Sequence, residues 1–158
     1  MPRRSSVRPK EVSPDLLYKN KMIAKLINRS MRDGKKFAAQ KQVYKALELL
    51  KGEDNDPLKV FSKAMENIKP IMEVRPRRVG GAAYQIPVPV KGKRKESLAI
   101  RWLIAATRAR PNSDYHTFAE KLAAELKEAA EGAGGAVKKR LEVEKIAESN
   151  RAFAHFRW

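Results

Sequence analysis

Apolar residues recur at three- and four-residue spacing from residue 15 onward. Leu16, Met22, Ile23, Leu26, Ile27 and Met31 fall on one helical face, with Gly34 as the stop. A second helix is expected directly afterwards, burying Phe37, Val43, Tyr44, Leu47 and Leu50 and running to Gly52. Asp56-Pro57 is a start signal for a third helix, with Leu58, Phe61, Met65 and Ile68 on its inner face and Pro70 beyond its end. The period then changes to two. Met72 and Val74 alternate before Val79-Gly80-Gly81, and Tyr84, Ile86, Val88 and Val90 alternate after it, which predicts a β-hairpin. Helical spacing returns after Gly92. Leu98, Trp102, Leu103 and Ala105 mark a helix that ends before Pro111. Phe118, Leu122, Leu126 and Ala129 mark another up to Gly132, opened by the capping box Thr117 and Glu120. Gly134-Gly135 opens a last helix with Val137, Leu141, Ile146 and Ala147 inward. No repeat of solenoid length occurs.

The hairpin carries a parity problem. A two-residue Gly80-Gly81 turn sets Val74 opposite Pro87 and puts the two apolar rows on opposite faces. A shared apolar face therefore demands a one-residue shift or bulge that brings Val74 near Ile86. On that reading Arg75 and Arg77 share the face away from the apolar row, and Pro87 and Pro89, which lack an N–H, lie along a free edge. The expected architecture is mainly α: a six-helix single domain over residues 1–158, with helices in 15–70 and 92–150. A protruding hairpin occupies 71–91, and a tail occupies 151–158. Residues 1–14 mix Pro, Ser and cations with little apolar content, so a mobile, disordered basic arm is expected there.

Charge changes the picture from fold to partner. The chain holds 35 Lys and Arg against 18 Asp and Glu, a net +17 that favours polyanions. The excess is segregated. Residues 1–36 carry 11 basic and 3 acidic groups and 69–101 carry 9 and 2, whereas 37–68 carry 5 and 5 and 113–150 carry 6 and 8. A strongly positive side and a near-neutral side follow, with nucleic acid as the obvious ligand. Plain solvation of helix faces is the alternative for any single lysine. With no cysteine, disulfide scaffolds and thiolate chemistry are excluded. The longest uncharged stretch, Val79 to Val90, contains two prolines and suits neither a signal segment nor a membrane span, so a cytoplasmic protein is expected.

The motifs speak against catalysis. His116 and His155 are the only histidines, the residue type most often used as a general base, and Ser113 and Asp114 beside His116 read as a helix-start cap rather than a triad. Neither HExxH nor GxxxxGK[ST] is present, so no enzyme activity, metal or cofactor is expected. Three basic runs stand at expected helix starts: Lys35-Lys36 after Gly34, Lys91-Gly-Lys-Arg-Lys95 at the fourth helix, and Lys138-Lys139-Arg140 at the sixth. Cations in a first turn oppose the helix dipole at a cost of about 0.3 to 1 kcal/mol each, so their recurrence points to phosphate binding. Tyr84, Phe153, Phe156 and Trp158 lie near arginines and suit base stacking, although a terminal aromatic cluster more often anchors a tail to its own domain.

At Arg75-Pro-Arg-Arg-Val-Gly-Gly-Ala-Ala-Tyr-Gln-Ile-Pro-Val the chain resembles the bacterial form of the small-subunit ribosomal protein S-seven family. Met31-Arg-Asp-Gly-Lys-Lys36, Leu98-Ala-Ile-Arg-Trp-Leu and Ala147-Glu-Ser-Asn-Arg-Ala-Phe-Ala-His-Phe-Arg-Trp158 extend the resemblance through nearly the whole length. Gln42 departs from it, standing where such proteins look apolar. The resemblance implies a ribosomal constituent that binds the 3′ major domain of 16S-type small-subunit ribosomal RNA and starts assembly of the subunit head. It implies RNA contacts at Arg3, Arg4, Lys35, Lys36, Arg75, Arg77, Lys93, Arg94 and Lys95. Lys10 and Arg101 in the same basic blocks, with Lys138 and Lys139, complete the expected set. The hairpin tip and tail would then face outward, with Arg78, Val79, Gly80, Gly81, Tyr84, Arg151 and Trp158 near exit-site transfer RNA, messenger RNA and the neighbouring proteins S-eleven and S-nine. Two rival readings are a DNA-binding helix-turn-helix around Gly34, presenting Gln40, Lys41 and Lys45, and a scaffold whose charge serves only solubility.

Overall fold

Short polar side chains start three of the helices. In the computed structural model, which describes residues 11–51 and 56–156, Asn20 accepts from Met22 N–H at the head of α1 (Lys21–Ser30). Asp56 does the same for Leu58 at α3 (Pro57–Ile68). Thr117 and Glu120 form the expected reciprocal capping box at α5 (Phe118–Ala130). The others, α2 (Lys36–Leu49), α4 (Lys93–Ala109) and α6 (Gly134–Ser149), begin without a cap from the N-cap side chain. A 3-10 helix, Arg151–Phe156, follows α6. Of the expected arm only residues 11–14 are described, and Arg3, Arg4, Lys10, Gly52 and Trp158 lie outside the described residues.

The core forms around α5. Ala119, Leu122, Leu126 and Ala129 are fully buried, and the helix packs against α2, α3, α4 and α6. Ile23, Leu26 and Ile27 of α1, Val43 and Leu47 of α2, Phe61 and Ile68 of α3, and Ile100 and Leu103 of α4 join the same cluster. Each large side chain removed from water contributes about 1.5–3 kcal/mol before entropy is subtracted. Among the described residues no helix is long and apolar enough to cross a membrane.

Several positions depart from the periodic reading. Helix α1 starts at Lys21, not Asp15, because the Asp15 carboxylate accepts from the Leu17 and Tyr18 N–H groups and closes a turn there. Leu16 is consequently 88% exposed. Phe37, in the first turn of α2, is 82% exposed, and Ala105 of α4 is exposed too. In α6, Leu141 and Ile146 are exposed while Gly134, Ala136, Val137 and Ala147 are buried. That helix docks through small residues: a Cβ on Gly135 would lie 3.1 Å from the Ala106 Cβ of α4. Of the residues expected inward on α6, Val137 and Ala147 are buried, whereas Leu141 and Ile146 are not.

Strands β1 (Met72–Val79) and β2 (Ala82–Pro89) form a two-stranded antiparallel hairpin. Both turn glycines have positive φ, 58° at Gly80 and 89° at Gly81, as a tight type I′ connection requires. The predicted shift does not occur, and Val74 stands opposite Pro87 while Ile86 stands opposite Arg75. The two apolar rows do lie on opposite faces. What makes this tolerable is Glu73, which takes a buried place opposite Val88 with its charge met by arginines. By parity Arg75 and Arg77 thus share the face of Tyr84, Ile86 and Val88 rather than the opposite one. Pro76, Pro87 and Pro89 all fall in the alternate set of pairs, whose N–H positions point away from the partner strand, so all three prolines fit on free edges.

Candidate RNA-binding surface

At the hairpin base one buried carboxylate organises two guanidiniums. Glu73 accepts from Arg75 Nε at 2.7 Å and from Arg94 Nε at 2.7 and 2.8 Å, and Arg94 Nη2 adds a further contact at 2.7 Å. Burial alone would raise the Glu73 carboxyl; Arg94 and Arg75 outweigh it and hold the acid below the usual carboxylate range. Both arginines remain about half exposed, so their outer N–H groups face solvent in a fixed orientation. With Lys91, Val88 and Pro89 they line a concavity of about 540 Å³.

Helix α4 continues this surface. Lys93, Arg94 and Lys95 occupy its first turn behind Gly92, and no side chain caps it. Lys93 borders a groove of about 520 Å³ between α1 and α4, together with Lys21, Lys25 and Arg29. Lys25 is paired with Glu96 across that groove. Arg101 is exposed two turns further along the same side of α4 as Arg94. At α2, Asp33 and Gly34 take positive φ, Lys35 becomes the N-cap residue without a side-chain cap bond, and Lys35 and Lys36 are exposed beside that helix start. These runs fit phosphate chemistry, because backbone N–H groups and cations converge at a helix start.

The third expected run differs. Lys138 and Lys139 stand in the second turn of α6, not the first, and the helix start is already filled. The Glu125 carboxylate, 1% exposed, accepts from Ala136 N–H at 2.8 Å and from Arg110 Nε at 2.9 Å, and Glu128 also binds Arg110. An internal anion thus occupies the place proposed for phosphate. The two lysines stay exposed, with Lys139 paired to Glu142 at 2.9 Å.

The hairpin tip is open: Arg78, Gly80 and Gly81 are exposed and Val79 is partly covered. Tyr84, expected to be outward, is engaged by the tail. Its ring centroid lies 5.2 Å from Phe153 and 5.7 Å from Phe156, and Arg77 donates to the Phe156 carbonyl at 3.1 Å. The aromatic tail is therefore anchored to its own domain. Arg151 is exposed and pairs with Glu148 at 3.1 Å.

The rival chemistries find different partners. Ser113 Oγ donates to Asp114, and His116 and Thr117 direct backbone N–H groups to Glu120, so this run is a helix start. Gln40, offered to the DNA reading, donates to Tyr44 Oη, which itself donates to Asp15. Gln42, the departure from the family pattern, accepts from Ala119 N–H at 3.1 Å and ties α2 to the start of α5. Sequence reasoning missed Glu73, whose only signal was an acid at the parity of Arg75 and Arg77. It also missed Arg32, Arg108 and Lys121, which converge from separate elements.

The chain matches the family model described as Ribosomal protein S7p/S5e over residues 2–151. It is 51% identical to the small ribosomal subunit protein uS7 of Carboxydothermus hydrogenoformans and 52% identical to that of Thermodesulfovibrio yellowstonii, each over 100% of both chains. The corresponding protein of Pseudothermotoga lettingae is 50% identical over 99% of this chain and 98% of its own.

Proposed function

Since the chain belongs to the Ribosomal protein S7p/S5e family, we propose that it acts as a structural constituent of the small ribosomal subunit in the cytoplasm, binding ribosomal RNA through its basic face. It works as a single RNA-binding unit with no catalytic role. Its specific target is the 3′ major domain of the 16S-type RNA, where binding starts assembly of the subunit head. The observation that carries this reading is the hairpin base. There Arg75 and Arg94 are fixed on buried Glu73 yet stay half exposed, beside Lys91 and Lys93. Oriented, desolvation-tolerant guanidiniums are what bidentate phosphate recognition needs.

The outer elements take the second role. The tip, Arg78 to Gly81, and the tail helix lie near exit-site transfer RNA, messenger RNA and the neighbouring proteins S-eleven and S-nine. Binding of the purified chain to separate transcripts of the ribosomal RNA domains, at one fixed salt concentration, tests the assignment. The 3′ major domain should bind tightest. Equal affinity for every domain, or for duplex DNA of the same length, overturns it.

A further inference from the structure

The three most exposed large apolar side chains among the described residues gather on one side of α2. Leu16 is 88%, Phe37 82% and Leu17 65% exposed. Single exposed apolar residues are ordinary on a protein surface, whereas a group of them marks a contact surface. This group is held in place. The Asp15 carboxylate accepts from the Leu17 and Tyr18 N–H groups, and the Tyr44 hydroxyl of α2 donates to its other oxygen at 2.8 Å. Gln40 Nε2 donates to that hydroxyl at 2.7 Å, and the Tyr18 ring meets the Tyr44 ring edge-on with centroids 5.9 Å apart. The fold thus commits a buried carboxylate and two tyrosines to a turn that leaves both leucines in water.

Phe37 extends the surface along the helix. With Gln40, Lys41, Tyr44, Lys45 and Glu48 it lines a concavity of about 460 Å³. Residues 37 to 48 follow α2 for about three turns, roughly 16 Å at about 1.5 Å per residue. Lys41 and Lys45 are exposed on the wall, and Glu48 is the only carboxylate lining it among the described residues. A groove of that length with apolar anchors suits the i, i+3, i+4 and i+7 side chains of a helix, and the two lysines select acidic flanks on it. Other occupants fit less well. A phosphate strand would pair with the lysines but leave Leu16, Leu17 and Phe37 in water, and a second copy of this chain would set +17 against +17.

We propose that this face, built from Leu16, Leu17, Phe37, Lys41 and Lys45, docks an acidic amphipathic helix of another protein. The helix covers the two leucines and the phenylalanine with its apolar stripe and sets its carboxylates against Lys41 and Lys45. The site is separate from the RNA-binding surface described above: none of these residues lines the hairpin-base concavity or the α1–α4 groove.

The probe is a synthetic helical peptide of about 18 residues, with leucines at i, i+4, i+7 and i+11 and glutamates beside them. Its affinity for the full-length chain is read by fluorescence anisotropy, alongside a scrambled peptide of the same composition. Wild type should bind the striped peptide at least about tenfold more tightly than the scrambled one. F37S and the double variant L16Q/L17Q should each weaken it about tenfold, with thermal unfolding unchanged because these side chains are exposed. L141Q, at an exposed leucine on α6, should bind as wild type does. K41E/K45E should weaken the acidic peptide and strengthen a version with lysines in place of the glutamates. Equal binding of striped and scrambled peptides, or wild-type affinity in both F37S and L16Q/L17Q, overturns the proposal, since the attraction of any acid to a net +17 chain would then suffice. The same two variants should leave the affinity for a small-subunit ribosomal RNA fragment within about twofold. A loss of about tenfold there, with peptide binding unchanged, assigns the face to RNA and overturns the docking of a helix.

Discussion

Glu73 couples the stability of the hairpin base to the orientation of Arg75 and Arg94. Its folded-state acidity is lowered by Arg94 and Arg75, so its contribution is fully present above the ordinary glutamate range of about 4.3. It is lost as pH falls through the lower folded value. Wild type should therefore lose more stability than E73Q on acidification below about pH 4.3, in chemical denaturation followed by circular dichroism. At neutral pH, E73Q should cost about 1–2 kcal/mol, less than a fully buried pair would, because both arginines stay half exposed. Equal acid sensitivity of the two proteins would remove Glu73 from this role. Glu125 is the purely structural counterpart. It binds Arg110 and the Ala136 N–H while 1% exposed, so E125A should cost about 3–5 kcal/mol in urea unfolding. Gly134, with φ of 89° and space for a Cβ only 3.0 Å from Glu125 Oε1, should tolerate alanine poorly for the same reason. G134A as stable as wild type would show that the α6 start is loosely held.

At the scale of elements, sequence signals were reliable where the chemistry is local. Asp56, Thr117 with Glu120 and the Gly80-Gly81 turn each act within four residues, and each appears as read. Signals failed where a distant partner decided the outcome. The hairpin register follows its turn because buried Glu73 finds Arg94, 21 residues away, and no alternation rule contains that contact. The α6 start is filled by Glu125 from α5, which the basic run at Lys138 could not disclose. Leu141 and Ile146, expected inward, stay exposed because α6 packs through glycine and alanine. The two ends of the hairpin hold different groups. Its base holds Glu73, Arg75 and Arg94, whereas strands of 8 residues span ~26 Å at ~3.3 Å per residue and carry the tip, Arg78 to Gly81, at their far end. Deleting residues 78–82 and closing the stem with a short turn should leave ribosomal RNA affinity within about tenfold, roughly 1.4 kcal/mol. Retention of exit-site transfer RNA or reading accuracy should suffer. Abolished RNA binding in a folded deletion variant would make the tip itself the anchor.

Across the whole molecule, charge is arranged rather than merely abundant. Segments 1–36 and 69–101 hold most of the +17 excess, and within the described residues they supply the α2 start, the hairpin base and the α4 start. Segment 37–68 is balanced, and its α3 lysines, Lys59 and Lys63, are exposed on a helix whose inner face is committed to the core. A ligand held by phosphate contacts should shield the first set and spare the second. Quantitative lysine acetylation, read by mass spectrometry with and without bound ribosomal RNA, measures that difference on one sample. Lys35, Lys36, Lys91, Lys93 and Lys95 should lose reactivity severalfold on binding while Lys59 and Lys63 keep theirs. Protection of Lys59 and Lys63 with Lys35 and Lys93 left reactive would contradict an RNA-binding face built from the hairpin base and the two helix starts.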